Sequence, residues 1–176
     1  MSQITENLEK LEGNFVVVVA PTEEHSDVRK EILEYWVKRK EFNGLYLSIN
    51  KPVESLIKEF KNSGLDDKKI LFIDGISKLV GVESDIDNSV ALKHPSALTD
   101  LSIILTEEFK KKDKQFLFID SISTMIVYNN EKTLAKFFHH LIANLKKHNL
   151  SCISLSLDER VEQIITQFSD SIIRYQ

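Results

Sequence analysis

The feature that most constrains this chain is a set of short apolar runs that lack a polar face. Phe15–Ala20 (FVVVVA), Leu45–Ile49 (LYLSI), Ile70–Asp74 (ILFID), Phe116–Asp120 (FLFID), Cys152–Leu157 (CISLSL) and Ser171–Tyr175 (SIIRY) are each five or six residues long. A strand with one wet face alternates apolar and polar side chains, so several of these runs need cover on both sides. Helical patterns separate them. Leu134, Phe137, Phe138, Leu141, Ile142 and Leu145 recur at steps that place them on one helix stripe. Leu98, Leu101, Ile104, Leu105 and Phe109 do the same after Pro95–Ser96, read as a helix start. Val28, Ile32, Leu33, Trp36 and Val37 form a third stripe, and Val53, Leu56, Ile57 and Phe60 a fourth behind Pro52. Alternating strands and helices predict crossovers of one hand and a three-layer α/β/α sandwich with a mainly parallel sheet.

The 176 residues suit one domain, 1–176, in which 1–13 is a short N-terminal extension with one weak amphipathic turn or two through Ile4, Leu8 and Leu11. No internal repeat, low-complexity tract or linker interrupts it, and the expected irregular stretch is Gly75 to Pro95. A net charge of −4 argues against a dedicated nucleic-acid module, so no nucleic-acid partner is expected. Cys152 is the one cysteine and forms no internal disulfide. The longest apolar run, Phe15 to Pro21, is too short to span a bilayer, so no membrane role and a cytoplasmic location are expected.

Strand ends are where an open α/β sheet binds ligands. The run FVVVVA-PTEEHSD-VRKEILEYW resembles the strand, loop and first helix of RecA-like ATPases of the KaiC type. GLYLSINKPVESLIKEF and ILFIDGIS resemble that family's next strand, helix and strand. FLFIDSISTM is similar to its Walker B strand, and EKTLAKFFHHLIANLKKHNLSCISLSL with DSIIRY to its last helix and strands. The resemblance runs from about residue 14 to 175 and implies a RecA-like sheet.

The departures matter most. The family's phosphate loop reads G-x-x-x-x-G-K-[ST], and the matching positions here are Ala20, His25, Ser26 and Asp27. Glycines let successive N–H groups curl toward phosphate, lysine neutralises it, and the hydroxyl holds Mg²⁺. None of these survives. The glutamate that orients water in KaiC-like enzymes is matched by Asn50, and only the Walker B-like Asp120 keeps its type. The expectation is therefore a pseudo-ATPase with vestigial positions Ala20, His25, Ser26, Asp27, Asn50 and Asp120. No catalytic residue, cofactor or metal is expected.

Blander roles are assigned alongside. Asp120 is read as a strand-end hydrogen-bond acceptor, and Glu23, Glu24 and Asp27 as caps of the first helix. His139 and His140, adjacent on a helix, point about 100° apart and do not share a metal ion readily. Cys152 reads as a buried structural thiol, and Lys110, Lys111, Lys112 and Lys114 as solvated cations at a helix end. Function is expected through a protein partner or a homo-oligomer, in which Glu23–Asp27 and Glu83–Asp87 meet a basic surface such as Lys110–Lys114. Two alternatives stand beside it. One is a diverged enzyme binding nucleotide or another anion through Asp120 and the Gly75–Pro95 loop. The other is an accessory factor in DNA recombination or repair.

Overall fold

The computed structural model describes residues 3–10, 14–83, 85–157 and 159–175. Its strands are β1 (Phe15–Val19), β2 (Gly44–Ser48), β3 (Ile70–Asp74), β4 (Ser89–Ala91), β5 (Phe116–Ile119), β6 (Ser151–Ser156) and β7 (Ser171–Arg174). The helices are α1 (Gln3–Glu9), α2 (His25–Leu33), α3 (Val53–Asn62), α4 (Leu98–Lys110), α5 (Ile122–Tyr128), α6 (Glu131–His148) and α7 (Glu159–Ile165). All the strand pairs are parallel, in the order β4-β3-β2-β5-β6-β1-β7.

Consecutive side chains of each central strand enter opposite cores. Phe15 and Val17 of β1 pack with Leu45, Leu117 and Cys152 beneath α4 and α6, whereas Val16 and Val18 pack with Tyr46, Phe118 and Ile153 beneath α1, α2 and α3. The layer assignment follows from the strand order. Connections from β1 and β2 move toward the β4 edge, and their helices α2 and α3 lie on one face. Connections from β4, β5 and β6 move back toward β7, and their helices lie on the other face. A single crossover hand permits only this arrangement.

Three expectations need correction and a fourth is borne out. The stretch from Gly75 to Pro95 is not wholly irregular, because Ser89–Ala91 adds an edge strand to β3. The helix after Pro95–Ser96 begins at Leu98, with Ala97 in the capping position. The third stripe is not one α-helix: it widens into a π-helix over Glu34–Arg39, closed by Lys40 N–H on the Tyr35 carbonyl at 3.0 Å. The expected N-terminal amphipathic segment is present as α1, about two turns long, with Ile4 and Leu8 buried against the α2 side; Leu11 lies outside the described residues.

Tight packing at the amino end of β2 has a measurable consequence. Gly44 pairs with Phe116, whose ring stacks on Trp36 at 4.3 Å. A Cβ at Gly44 would stand 2.2 Å from that ring, which is fully buried and stacked on Trp36, so the backbone or the ring must shift. Gly44→Ala should therefore lower stability by about 1–3 kcal/mol in urea unfolding, and adding Phe116→Leu should recover part of the loss. Equal midpoints for Gly44→Ala and the parent protein would refute this packing.

Candidate functional site

In an open sheet the binding crevice forms beyond the carboxyl ends of strands whose connections leave toward opposite faces. Two neighbouring pairs whose connections are helical meet that condition here, β1 with β6 and β2 with β5, and the edge pair β3 with β4 meets it without a helix after β3.

At the first pair the chain leaves β1 through Ala20 and Pro21, makes one 3-10 turn at Thr22–Glu24 and enters α2 at His25. No residue between 20 and 27 has a positive φ. The His25 ring folds back into the gap between the strand ends, where Nε2 lies 3.0 Å from the Ala20 carbonyl and 3.2 Å from the Ser156 carbonyl. Both neighbours are acceptors, so Nε2 carries the proton. Burial holds the imidazole pKa below its usual value despite those two bonds. Ala20 N–H also reaches the Ser156 carbonyl, at 3.3 Å. Ser26 and Asp27 face solvent on the outside of α2. The capping expectation fails: neither the 3-10 turn nor α2 has a side-chain cap. Pro21 starts the turn early, so Glu23 and Glu24 fall inside it instead of before it.

At the second pair Asp120 closes β5 and is buried. Its Oδ1 accepts Ile49 N–H at 3.0 Å, and its Oδ2 faces Asn50 N–H at 3.5 Å and the Ser48 hydroxyl at 3.2 Å. The Ser48 hydroxyl also closes the turn onto the Lys51 carbonyl at 2.5 Å. Desolvation outweighs these donors and raises the Asp120 carboxyl to about 6. Asn50, at the vestigial base position, turns its side-chain carbonyl to Thr124 Oγ1, which donates to it at 2.5 Å. Ser121 caps α5 by accepting Thr124 N–H at 3.1 Å.

A second aspartate mirrors the first. Asp74, buried at the end of β3, accepts Val53 N–H at the start of α3 (3.1 Å), Ser77 N–H (2.9 Å), Ile76 N–H (3.1 Å) and the Ser77 hydroxyl (2.6 Å). Since β3 and β5 flank β2, the two carboxylates hold the β2–α3 turn from both sides. No role was assigned to Asp74 from the sequence, yet a signal was there. FIDGIS at 72–77 and FIDSIS at 118–123 are a short echo within a chain otherwise free of repeats.

The structure brings Ala20 to His25 and Asn50 to Asp120, and it leaves Ser26 and Asp27 on the surface. Among the described residues, no group of three or more His, Cys, Asp or Glu side chains could hold a metal ion. An open cleft of about 630 Å³ lies beside β4, lined by residues that include Ser77, Lys78, Glu83 and Asp85, but not Asp120. His139 meets the Phe168 ring edge-on at 4.8 Å, and His140 pairs with Asn144 at 3.0 Å. Cys152 is a buried free thiol, its pKa pushed well up by desolvation. The expected basic run is largely self-neutralised: Lys110 pairs with Glu107, Lys111 with Glu108 and Lys114 with Asp113.

The raised Asp120 pKa sets a sign for pH dependence. The folded state keeps this proton between about pH 4 and 6 while the unfolded chain releases it, so the contribution of Asp120 to stability falls as pH rises through that window. Asp120→Asn does not titrate. Between pH 4 and 7 the stability of the variant should therefore gain on the parent, by on the order of 2–3 kcal/mol. Parallel pH profiles in chemical denaturation would remove the perturbed carboxyl.

A family model described as "ATPase: KaiC" matches residues 32–169, from inside α2 to just beyond α7. No curated protein matches the chain in sequence. Among solved structures, the chain is similar to the crystal structure of a KaiC-like protein from the hyperthermophilic archaeon Pyrococcus horikoshii OT3. The TM-score is 0.67 at 16% identity, over 94% of this chain and 74% of that one. The RecA-like three-layer architecture is thus shown.

Proposed function

The chain belongs to the KaiC ATPase family, and from that premise we propose that it is a pseudo-ATPase, a non-catalytic member that works through protein contacts. One observation carries the reading: the His25 imidazole sits in the gap between β1 and β6, bonded to Ala20 and Ser156. A phosphate there needs inward N–H groups and a cation. The gap instead holds a ring that spends its one Nε2 proton on two protein carbonyls. The turn outside it carries Glu23 and Glu24, the first turn of α2 adds Asp27, and neither carries a lysine. Repulsion between like charges at about 4 Å is about 4 kcal/mol at an effective dielectric of 20, half of what a micromolar site has in total. Arg29, the first cation of α2, is bound to Glu59. The Asp120 carboxylate is engaged with the β2–α3 turn, which leaves it poorly placed to organise a metal.

The contact half of the proposal draws on the distribution of exposed apolar groups. Among the described residues the large exposed hydrophobics are Leu79, Val80, Ile103, Val127 and Leu157. All but Ile103 lie on connections leaving the carboxyl edge of the sheet, with Val127 78% exposed. An edge that displays apolar side chains where relatives of this fold take ligands suits a protein partner. No helix among the described residues is long and apolar enough to cross a membrane.

Two measurements bear on this. Millimolar MgATP should leave the melting temperature unchanged, whereas a ligand at 100 times its Kd would add about 2.7 kcal/mol, a shift of several degrees. A rise with ATP that Asp120→Ala abolishes would sink the pseudo-ATPase reading. Affinity purification from the native cell should recover a protein partner with the parent chain and lose it with Val127→Asp. Recovery of the same partner by both would move the contact elsewhere.

A further inference from the structure

We infer that the open cleft beside β4 docks an extended, basic segment of a partner protein, which joins the sheet as a strand along the free edge of β4. This deepens the protein-contact reading above, on which it rests, by naming one contact and its chemistry. The other two crevices are closed by the chain's own atoms: His25 fills the gap at β1 and β6, and Asp120 binds the turn at β2 and β5. At the edge pair no helix follows β3, and a cleft of about 630 Å³ stays open. Ligand sites run from about 300 to 1,000 Å³, so the volume is ample for side chains.

The wall of this cleft is held by hydrogen bonds. Asp74 accepts the Ile76 and Ser77 N–H groups. The chain then turns back through Val80 N–H on the Ile76 carbonyl (3.2 Å) and Val82 N–H on the Ser77 carbonyl (2.9 Å). Gly81 takes the left-handed φ of 72° that this return requires. From β4, the exposed Ala91 completes the lining.

The backbone of β4 adds an independent observation. Phe72 N–H reaches the Asn88 carbonyl at 2.9 Å, and Leu92 N–H reaches the Asp74 carbonyl at 2.8 Å. Alternate residues of a parallel ladder bond to a given neighbour, so 88, 90 and 92 face β3 while Ser89 and Ala91 face away. Ser89 N–H is taken by the Ile86 carbonyl at 3.1 Å. Among the described residues nothing takes the outward N–H and carbonyl of Ala91. One donor and one acceptor on the same residue are what an added strand pairs with. Water can satisfy any bare edge, but here the edge opens into a cleft that receives side chains.

Charge selects the occupant. Glu83 and Asp85 line the cleft against one cation, Lys78, which favours Lys or Arg on the incoming strand. Leu79 and Val80, both exposed, follow Lys78 and suit apolar residues between those cations. A nucleic acid would bring phosphates to a lining with excess carboxylate, so it fits less well.

Selection of random displayed decapeptides on the immobilised full chain tests this. The peptides recovered should carry Lys or Arg among β-branched residues, and amide hydrogen exchange at Ala91 should slow about tenfold or more in their complexes. Ala91→Pro removes the outward donor and spares the β3 ladder, because an edge position facing out tolerates proline. That variant, and separately Glu83→Lys with Asp85→Lys, should each weaken binding about tenfold or more, with melts to confirm folding. Four results overturn the inference: no peptide recovered, acidic peptides recovered, binding indifferent to both variants, or unchanged exchange at Ala91. Peptides that Val127→Asp releases and Ala91→Pro retains also defeat it, and leave the protein-contact reading standing. Peptides held at Ala91 by a chain that MgATP stabilises would support this site while the pseudo-ATPase reading falls.

Discussion

The middle of the sheet hangs on carboxylates placed where strands stop. When β2 ends at Ser48, the N–H groups of Ile49 and Asn50 have left the ladder and α3 has not begun. Asp120 from one side and Asp74 from the other take up those donors and that of Val53. A hydrogen bond to a charged acceptor contributes about 1.5–3 kcal/mol, and a buried donor left without one costs a comparable amount. Removing either carboxylate therefore does more than delete contacts, since it frees the turn that aims α3 at the sheet. The raised Asp120 pKa records the other side of this balance: burial taxes the charge that the turn requires.

The same economy extends to the β1–β6 gap. Fold architecture opens a crevice wherever neighbouring connections diverge, and carbonyls at strand ends need donors there. A bound anion with its cradle is one solution. In this chain the protein supplies the donor itself through His25, and the crevice closes over its own atoms. Ser123 continues the closure, donating or accepting with Ser156 at 3.3 Å and receiving Leu157 N–H at 2.9 Å.

What was legible in the sequence follows from the range of the interaction concerned. Strands apolar on both faces announced themselves, as did the stripes of α3, α4 and α6, because those patterns report burial directly. β4 did not: Ser89–Ala91 holds its place by pairing with β3 and by Asn88 bonds to Asp67 and Ile70, none of which leaves an apolar run. α5 was hidden behind the Walker B-like segment, although Ser121 and Thr124 spell its cap. The strand-end role of Asp120 was anticipated, and its partners Ser48, Ile49 and Asn50 lie 70–72 residues away. The link between His25 and Ser156 crosses 131 residues and only the assembled sheet displays it. Capping by Glu23 and Glu24 failed for a local reason, the early turn imposed by Pro21.

The position of β1 bears on how the chain is made. Of the seven described strands it is synthesised first, yet both its neighbours, β6 and β7, are synthesised last. Phe15 finds Cys152 as its register partner, and Val16 finds Ser171. Until those segments emerge, the run FVVVV has no ladder on either side and is the kind of apolar, uncharged stretch that pairs with other chains. Completion of the sheet around β1 thus waits on synthesis of β6 and β7. The exposure of that run before its partners form is a hazard of synthesis that the stability of the finished sheet does not remove.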